Sequence, residues 1–269
     1  MNCKQFTFLL WKKGILYGKI TENAYEDENM QLSKRLKAVA DMVTIGNRVA
    51  DIGCDHAYIA INLIMNKISP FVVAMDVNQG PLDRAKENIE RYRVADKISI
   101  RKSDGLQMLK TGEVDTILMA GMGGRLMTEI LASRMDIVAT AKELVLQPQS
   151  EIYEVRRTLE QWGFIIVDEN MLKEDGKYYL VMKVRIDSSS INNNKYQLLK
   201  PEHIYYGRLL LEDKNPVLLE YLQSEKRLYK KIYNELIDKP TKQSRERQTE
   251  ILELIQVIDQ AMGYYKEGK

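Results

Sequence analysis

Two aspartates, a cysteine and a histidine crowd the stretch 48-RVADIGCDHAYIA-60, directly after a short apolar run. Carboxylates near an imidazole and a thiol can ligate a metal, move protons or line a cofactor site, and spacing separates these chemistries. Cys3, Cys54, His56 and His203 are the only cysteines and histidines. They offer neither C-x-x-C nor H-x-x-x-H, which argues against a zinc site. The run ending at Asp51-Ile52-Gly53 reads as a buried strand, and Gly53 permits a tight turn that a ligand can approach closely. A dinucleotide site would carry G-x-G-x-x-G, seating a pyrophosphate on a helix N-terminus. Here the second and third glycines are missing, and Asp55 would repel a diphosphate.

Acids recur at the next strand ends. The segment 74-AMDVNQG-80 places Asp76, followed by Val77, where an acid conventionally accepts from ribose hydroxyls. In 102-KSDGL-106, Asp104 stands where it can accept an adenine amino group, with Gly105 giving the ring room. A single such acid is more often a helix cap or turn residue. Three at successive strand ends suit a cationic ligand, and S-adenosylmethionine supplies an ammonium, a sulfonium and ribose hydroxyls. The fourth strand ends 119-MAGMGG-124, so Ala120, Gly121, Met122 and Gly123 present a backbone open to a flat substrate. A plain turn into the next helix explains one of its three glycines. Gln147, Pro148 and Gln149 end the following strand on the same rim.

The elements that must hold these residues alternate. Strands are expected over 48–52, 71–76, 97–102, 114–120 and 143–147, with helices near 57–66, 81–93, 124–134 and 151–162 and a short one near 105–110. Strand–helix alternation predicts a doubly wound, mostly parallel sheet. Two further strands, 164–172 and 177–186, flank a tight Asp-Gly turn and predict an antiparallel hairpin at the sheet edge, bringing the sheet to seven strands. Before the first strand, Leu32, Leu36, Val39, Ala40 and Val43 recur at helical spacing.

The stretch 188-SSSINNN-194 reads as a linker. Beyond it Leu218, Leu222, Tyr229, Ile232 and Leu236 form a heptad stripe interrupted by Glu225; Pro240 breaks the run and Ile251, Ile255, Ile258 and Met262 resume it. An antiparallel helical hairpin is expected, with dimerisation through these helices as the rival. The expected organisation is an N-terminal extension over 1–29, a catalytic domain over 30–187, a linker over 188–200 and a helical, coiled-coil domain over 201–269.

With 269 residues, 45% of them apolar, the chain can build a sizeable core. Two cysteines make no disulfide framework, which fits a cytoplasmic protein. The run 6-FTFLLW-11 is followed by two lysines and no cleavage-site pattern, so neither a signal peptide nor a membrane span is expected. Residues 1–29 are read instead as a mis-called start, with Met30 the initiator. The net charge is only +2, yet residues 84–102 carry seven basic side chains against three acids, and residues 222–250 eight against five. Lys34, Arg35 and Lys37 form another basic group. Such clusters can bind phosphates, although solvated helix faces explain any one of them equally well.

Taken jointly, A-D-I-G-C-D-H-A-Y, S-D-G-L, A-G-M-G-G and L-Q-P-Q, with L-S-K-R-L near the start, resemble the bacterial tRNA adenine-22 N1-methyltransferase family. The resemblance runs from about residue 31 to the end. It implies a Rossmann-like class I methyltransferase fold, S-adenosyl-L-methionine as donor, and N1 of a D-arm adenosine as acceptor. Cofactor contacts are expected from Asp51, Gly53, His56, Asp76, Val77, Asp104, Gly105 and Ala120. Asp55 with Gly121, Met122 and Gly123 is expected at the reacting atoms, and Lys34, Arg35, Lys37, Tyr58, Arg125, Gln147, Pro148 and Gln149 on the tRNA. No metal is expected, and the enzyme is expected to act as a monomer.

Adenine N1 is an unprotonated lone pair at neutral pH, so the task is positioning, with a carboxylate to balance the cationic product. Asp55 is the candidate. N1 lies on the pairing edge and must be freed from a stem before transfer, with Tyr58 or Met122 beside the extruded base. Exocyclic amino methylation usually uses an N-P-P-Y-type loop, which this chain lacks. A methyltransferase acting on a small molecule or another RNA, and a non-catalytic RNA-binding protein, are the rivals.

Overall fold

A computed structural model describes residues 30–186, 200–237 and 241–266. The N-terminal extension, the polar stretch 188–194 and the break at Pro240 lie outside these residues.

The strands β1 (Val49–Ile52) and β2 (Val72–Asp76) are buried almost throughout, because helices cover both faces of the sheet and leave no solvent side to alternate with. They are joined by β3 (Ile98–Lys102), β4 (Thr116–Met122), β5 (Glu143–Pro148), β6 (Ile165–Glu174) and β7 (Lys177–Arg185). The seven strands run in the order β3-β2-β1-β4-β5-β7-β6. The first five are parallel, with Val49 in register with both Val72 and Thr116, and β7 is antiparallel to β5 and β6. Strand order therefore reverses between β1 and β4, the place where open α/β sheets receive ligands.

The hairpin forms as expected. Asp175 and Gly176 both take positive φ, 49° and 76°, as a tight primed turn requires. The crossover helices are α2 (Tyr58–Met65), α3 (Gln79–Arg91), α4 (Gly124–Ser133) with the short α5 (Met135–Val138), and α6 (Ile152–Gln161). The helix expected near 105–110 is instead a series of turns. Ser103 Oγ donates to the Gly105 carbonyl and accepts from the Met108 N–H, while Gln107 and Leu109 bond three residues back.

Preceding the sheet, α1 (Lys34–Asp41) is capped by Ser33, whose hydroxyl accepts the Leu36 N–H at 3.2 Å. The Glu174 carboxylate, at the hairpin tip, accepts the N–H groups of Lys34 and Arg35 at 2.6 and 3.2 Å. That carboxylate satisfies donors a helix start otherwise leaves open, and it fixes where α1 begins over the sheet.

After the sheet come α7 (Pro201–Tyr206), α8 (Arg208–Glu212), α9 (Pro216–Ile237) and α10 (Lys242–Gly263). The last two are antiparallel: Lys226 pairs with Asp259, and Tyr265 Oη donates to the Asn215 carbonyl at 2.8 Å. Leu218, Leu222 and Ile258 belong to the same apolar cluster as the sheet residues. Glu225, which interrupts the stripe, is half-buried and accepts from two tyrosines, Tyr206 at 2.8 Å and Tyr221 at 3.0 Å.

Candidate active site

The C-terminal ends of β1, β2 and β4 open on a cleft of about 320 Å3. The structure brings ten of the expected residues to its wall: Arg35, Asp51, Gly53, Asp55, His56, Tyr58, Asp76, Ala120, Gly121 and Gln149. Leu36 and Ile59 join them without having been singled out, and so does Cys54, weighed above only as a metal ligand.

Asp51 lies inside β1 and is only 2% exposed. Its Oδ2 is buried without a hydrogen-bond partner. Burial, then the charges of Asp76 and Asp55, push its carboxyl up to about 7. The chain turns away at Gly53, φ 74°, where the N–H groups of Gly53 and Cys54 both donate to the Met75 carbonyl. A side chain at Gly53 would sit 3.2 Å from Met122 Cε, so the β1 and β4 loops approach each other here. Asp55 and Ala57 also take left-handed backbone, φ 44° and 57°. Holding buried Ala57 there costs of the order of 1 kcal/mol or more, the kind of strain that gathers at functional loops.

This turn presents the Asp55 carboxylate to solvent, 3.5 Å from His56 Nε2. The His56 ring stacks on Tyr58 at 5.4 Å, and the His56 carbonyl accepts from Asn88. Cys54 is buried, and burial with the charges of Asp51 and Asp76 pushes its thiol far up, so it is a neutral packing group and not a nucleophile. At the end of β2, Asp76 Oδ1 accepts the Asn78 N–H at 2.8 Å, which orients the carboxylate at the cleft wall.

At the end of β4 the register with β5 shifts between Ala120 and Met122, a bulge that re-aims the chain at the cleft. Gly121 has φ 84° and faces the Arg35 guanidinium and the Gln149 amide. Gly124 has another reason to be glycine, since a Cβ there would meet the Ser150 carbonyl at 2.6 Å and Val155 at 2.7 Å. Gly123 abuts the Ser150 hydroxyl.

Several expected residues stand elsewhere. Gln147 and Pro148 are buried and do not line the cleft. Gln147 Oε1 instead accepts from Arg35 Nη1 at 3.0 Å, while the guanidinium lies 5.7 Å over the Tyr179 ring. Gln147 thus holds Arg35 in the cleft rather than offering an amide on the rim. The room expected over Gly105 is taken by Ile130, 2.7 Å from where its Cβ would be. Val77 is exposed beyond the wall, as is Asp104. Lys34, Lys37 and Arg125 are exposed; Lys37 pairs with Asp41 and Arg125 with Glu129, both one helical turn away and solvent-screened. Within the basic segment 84–102, Arg101 is committed to Glu113.

Among the described residues, no group of three His, Cys, Asp or Glu side chains could hold a metal ion, and no helix is long and apolar enough to cross a membrane.

A parallel sheet reversing at β1/β4, with carboxylates at consecutive strand ends and a glycine loop after β4, defines a class I methyltransferase. The family described as a methyltransferase domain matches residues 32–182. Over 236 residues the chain is 30% identical to the tRNA (adenine(22)-N(1))-methyltransferase of Bacillus subtilis (strain 168), covering 87% of this chain and 98% of that protein. The crystal structure of the B. subtilis tRNA methyltransferase matches with a TM-score of 0.78 at 30% identity, covering 87% of this chain and 99% of that one. A Streptococcus pneumoniae relative solved in complex with S-adenosyl-L-methionine matches with a TM-score of 0.75 at 30% identity, over 86% of this chain and 100% of that one. The chain belongs to the tRNA (adenine(22)-N(1))-methyltransferase family.

Proposed function

We propose that this chain methylates N1 of adenine 22 in tRNA, with S-adenosyl-L-methionine as donor, in the cleft at the ends of β1, β2 and β4. The observation that carries the site assignment is the convergence of Asp51, Asp55 and Asp76 on one cleft wall around Gly53. The residues present fit the donor. The enclosed, unpartnered Asp51 oxygen suits a group that brings its own positive charge, and Asp76 suits ribose hydroxyls. When bound, the donor supplies an electrophilic methyl group.

The chain's own part is to place and to balance charge. Gly121 lines the cleft and Met122 lies beside it against Gly53, where the bulge suits close approach of backbone to a flat acceptor ring. Arg35, held by Gln147 and stacked against Tyr179, is a fixed cation in the cleft for a phosphate beside the target base. Lys34, Lys37 and Arg125 are exposed, the last two beside solvent-screened carboxylates, and extend that positive rim. N1 methylation leaves a cationic ring, and Asp55 is placed to balance it and to take the proton that the exocyclic amino group later sheds. His56 and Tyr58, stacked on one another, form a wall beside the base. We assign the activity to a monomer, because the apolar stripe of α9 packs on α10 of the same chain, and to the cytoplasm, which two cysteines without a disulfide framework fit.

The test is methyl transfer from labelled donor to tRNA transcripts, with the modified base mapped by primer-extension arrest. Arrest at adenine 22 is expected, and Asp55→Ala should lower turnover by about tenfold or more while tRNA affinity changes little. Label on the exocyclic amine, or near-normal turnover in the variant, would remove the assigned chemistry or the assigned residue respectively.

A further inference from the structure

A second cavity, of about 560 Å3, lies between the start of α6, the β6–β7 hairpin and the C-terminal helices. Small-ligand sites fall in a range of roughly 300–1,000 Å3. Its wall is aromatic. Tyr153 and Tyr205 stack at 5.2 Å and 5°, and Tyr178 meets Tyr221 edge-on at 5.2 Å. Among these rings stands Glu225, each oxygen of which accepts one tyrosine hydroxyl, from Tyr206 and Tyr221, and keeps a further lone pair. Glu151 also lines the cavity, at its exposed end; an aromatic cavity with a carboxylate acceptor set among its rings suits a flat ring bearing an amino group.

Two observations tie this cavity to the substrate of the cleft. Gln149 lines both spaces, so they open along one rim. On α9, Arg227, Lys230 and Lys231 are exposed around Tyr229, itself a cavity residue, and supply charge for a phosphate backbone. Freeing a base-paired adenine for N1 chemistry also leaves a neighbouring or partner base without its stack.

From these we infer that the cavity receives a second, unstacked base of the same tRNA while the target adenine occupies the cleft. The inference rests on the tRNA reading above. Stacking on Tyr153 and Tyr205 compensates the lost base stack, and Glu225 favours a base with an amino group on its exposed edge.

The full-length protein and unmodified tRNA transcripts test it. Tyr205→Ala is expected to weaken tRNA affinity about tenfold, Tyr205→Phe to stay within about twofold, and S-adenosylhomocysteine affinity to be unchanged in both. A scan of single abasic nucleotides should find one position, other than the target, that weakens binding to wild type but adds nothing in Tyr205→Ala. A Tyr205→Ala protein that binds S-adenosylhomocysteine normally and tRNA as tightly as wild type overturns the inference, as does additivity at every abasic position. Should Tyr205→Ala fail to fold, Tyr153→Ala, at a ring 38% exposed, carries the same measurement. Failure of the wild type to methylate tRNA at all overturns the functional reading itself, a result separate from these.

Discussion

At the residue scale the chemistry turns on Asp51. A carboxylate enclosed beside two other acids is held near neutrality, about 7, by burial and by Asp76 and Asp55. A cationic ligand favours its ionised form, so below that value binding must expel a proton. Affinity for the donor should therefore fall as pH drops below about 7, by up to about tenfold per unit. Titration calorimetry between about pH 5.5 and 8 measures the slope, and Asp51→Asn should flatten it; a slope that survives the substitution assigns the proton to another group. Asp51, Asp55 and Asp76 were legible because acids recurring at successive strand ends exceed what single caps and turns require. Gln147 was misplaced for a different reason. A strand buried on both faces carries no alternation to show which way a side chain points, and Gln147 turns to Arg35 instead of the rim. The glycine loop was half legible: Gly121 serves the cleft, while Gly124 answers to Ser150 and Val155, contacts that spacing along the chain does not display.

At the scale of elements, the C-terminal helices are pinned to the catalytic sheet by one enclosed ion pair. Arg156 on α6 meets Glu169 on β6 at 2.8 Å, both side chains 1% exposed. The same guanidinium donates to the carbonyls of Ile204 and Tyr205 at the end of α7. Gly207 follows with φ 89°, and a Cβ there would fall 2.5 Å from the Glu169 carboxylate. Removing one partner leaves an uncompensated buried charge, so Glu169→Ala should lower unfolding stability by about 3–5 kcal/mol in urea titration. A midpoint close to wild type would show that this ion pair does not hold the helices. The hairpin was legible from its Asp-Gly turn, whose dihedrals are local. The turns at 105–110 were not, because the Ser103 hydroxyl captures the local hydrogen bonds that a helix would use. Glu225 resembled a flaw in a heptad stripe; its partner Tyr206 lies nineteen positions away, outside any helical period.

Across the whole molecule, the doubly wound sheet was readable because β and α periods alternate from β1 onward, and because class I methyltransferase motifs fall at strand ends. The C-terminal helices were readable as helices but not as part of the sheet's own core, since a stripe does not name its partner. Strand order gathers Asp51, Asp55 and Asp76 on one cleft beside the β1/β4 switch point, which is the central claim. The most direct test is a crystal structure of the full chain with S-adenosylhomocysteine. The ribose hydroxyls should lie on Asp76 and the amino-acid end beside Asp51 and Gly53. A ligand seated away from these residues, or in the cleft without touching either aspartate, would contradict the assignment.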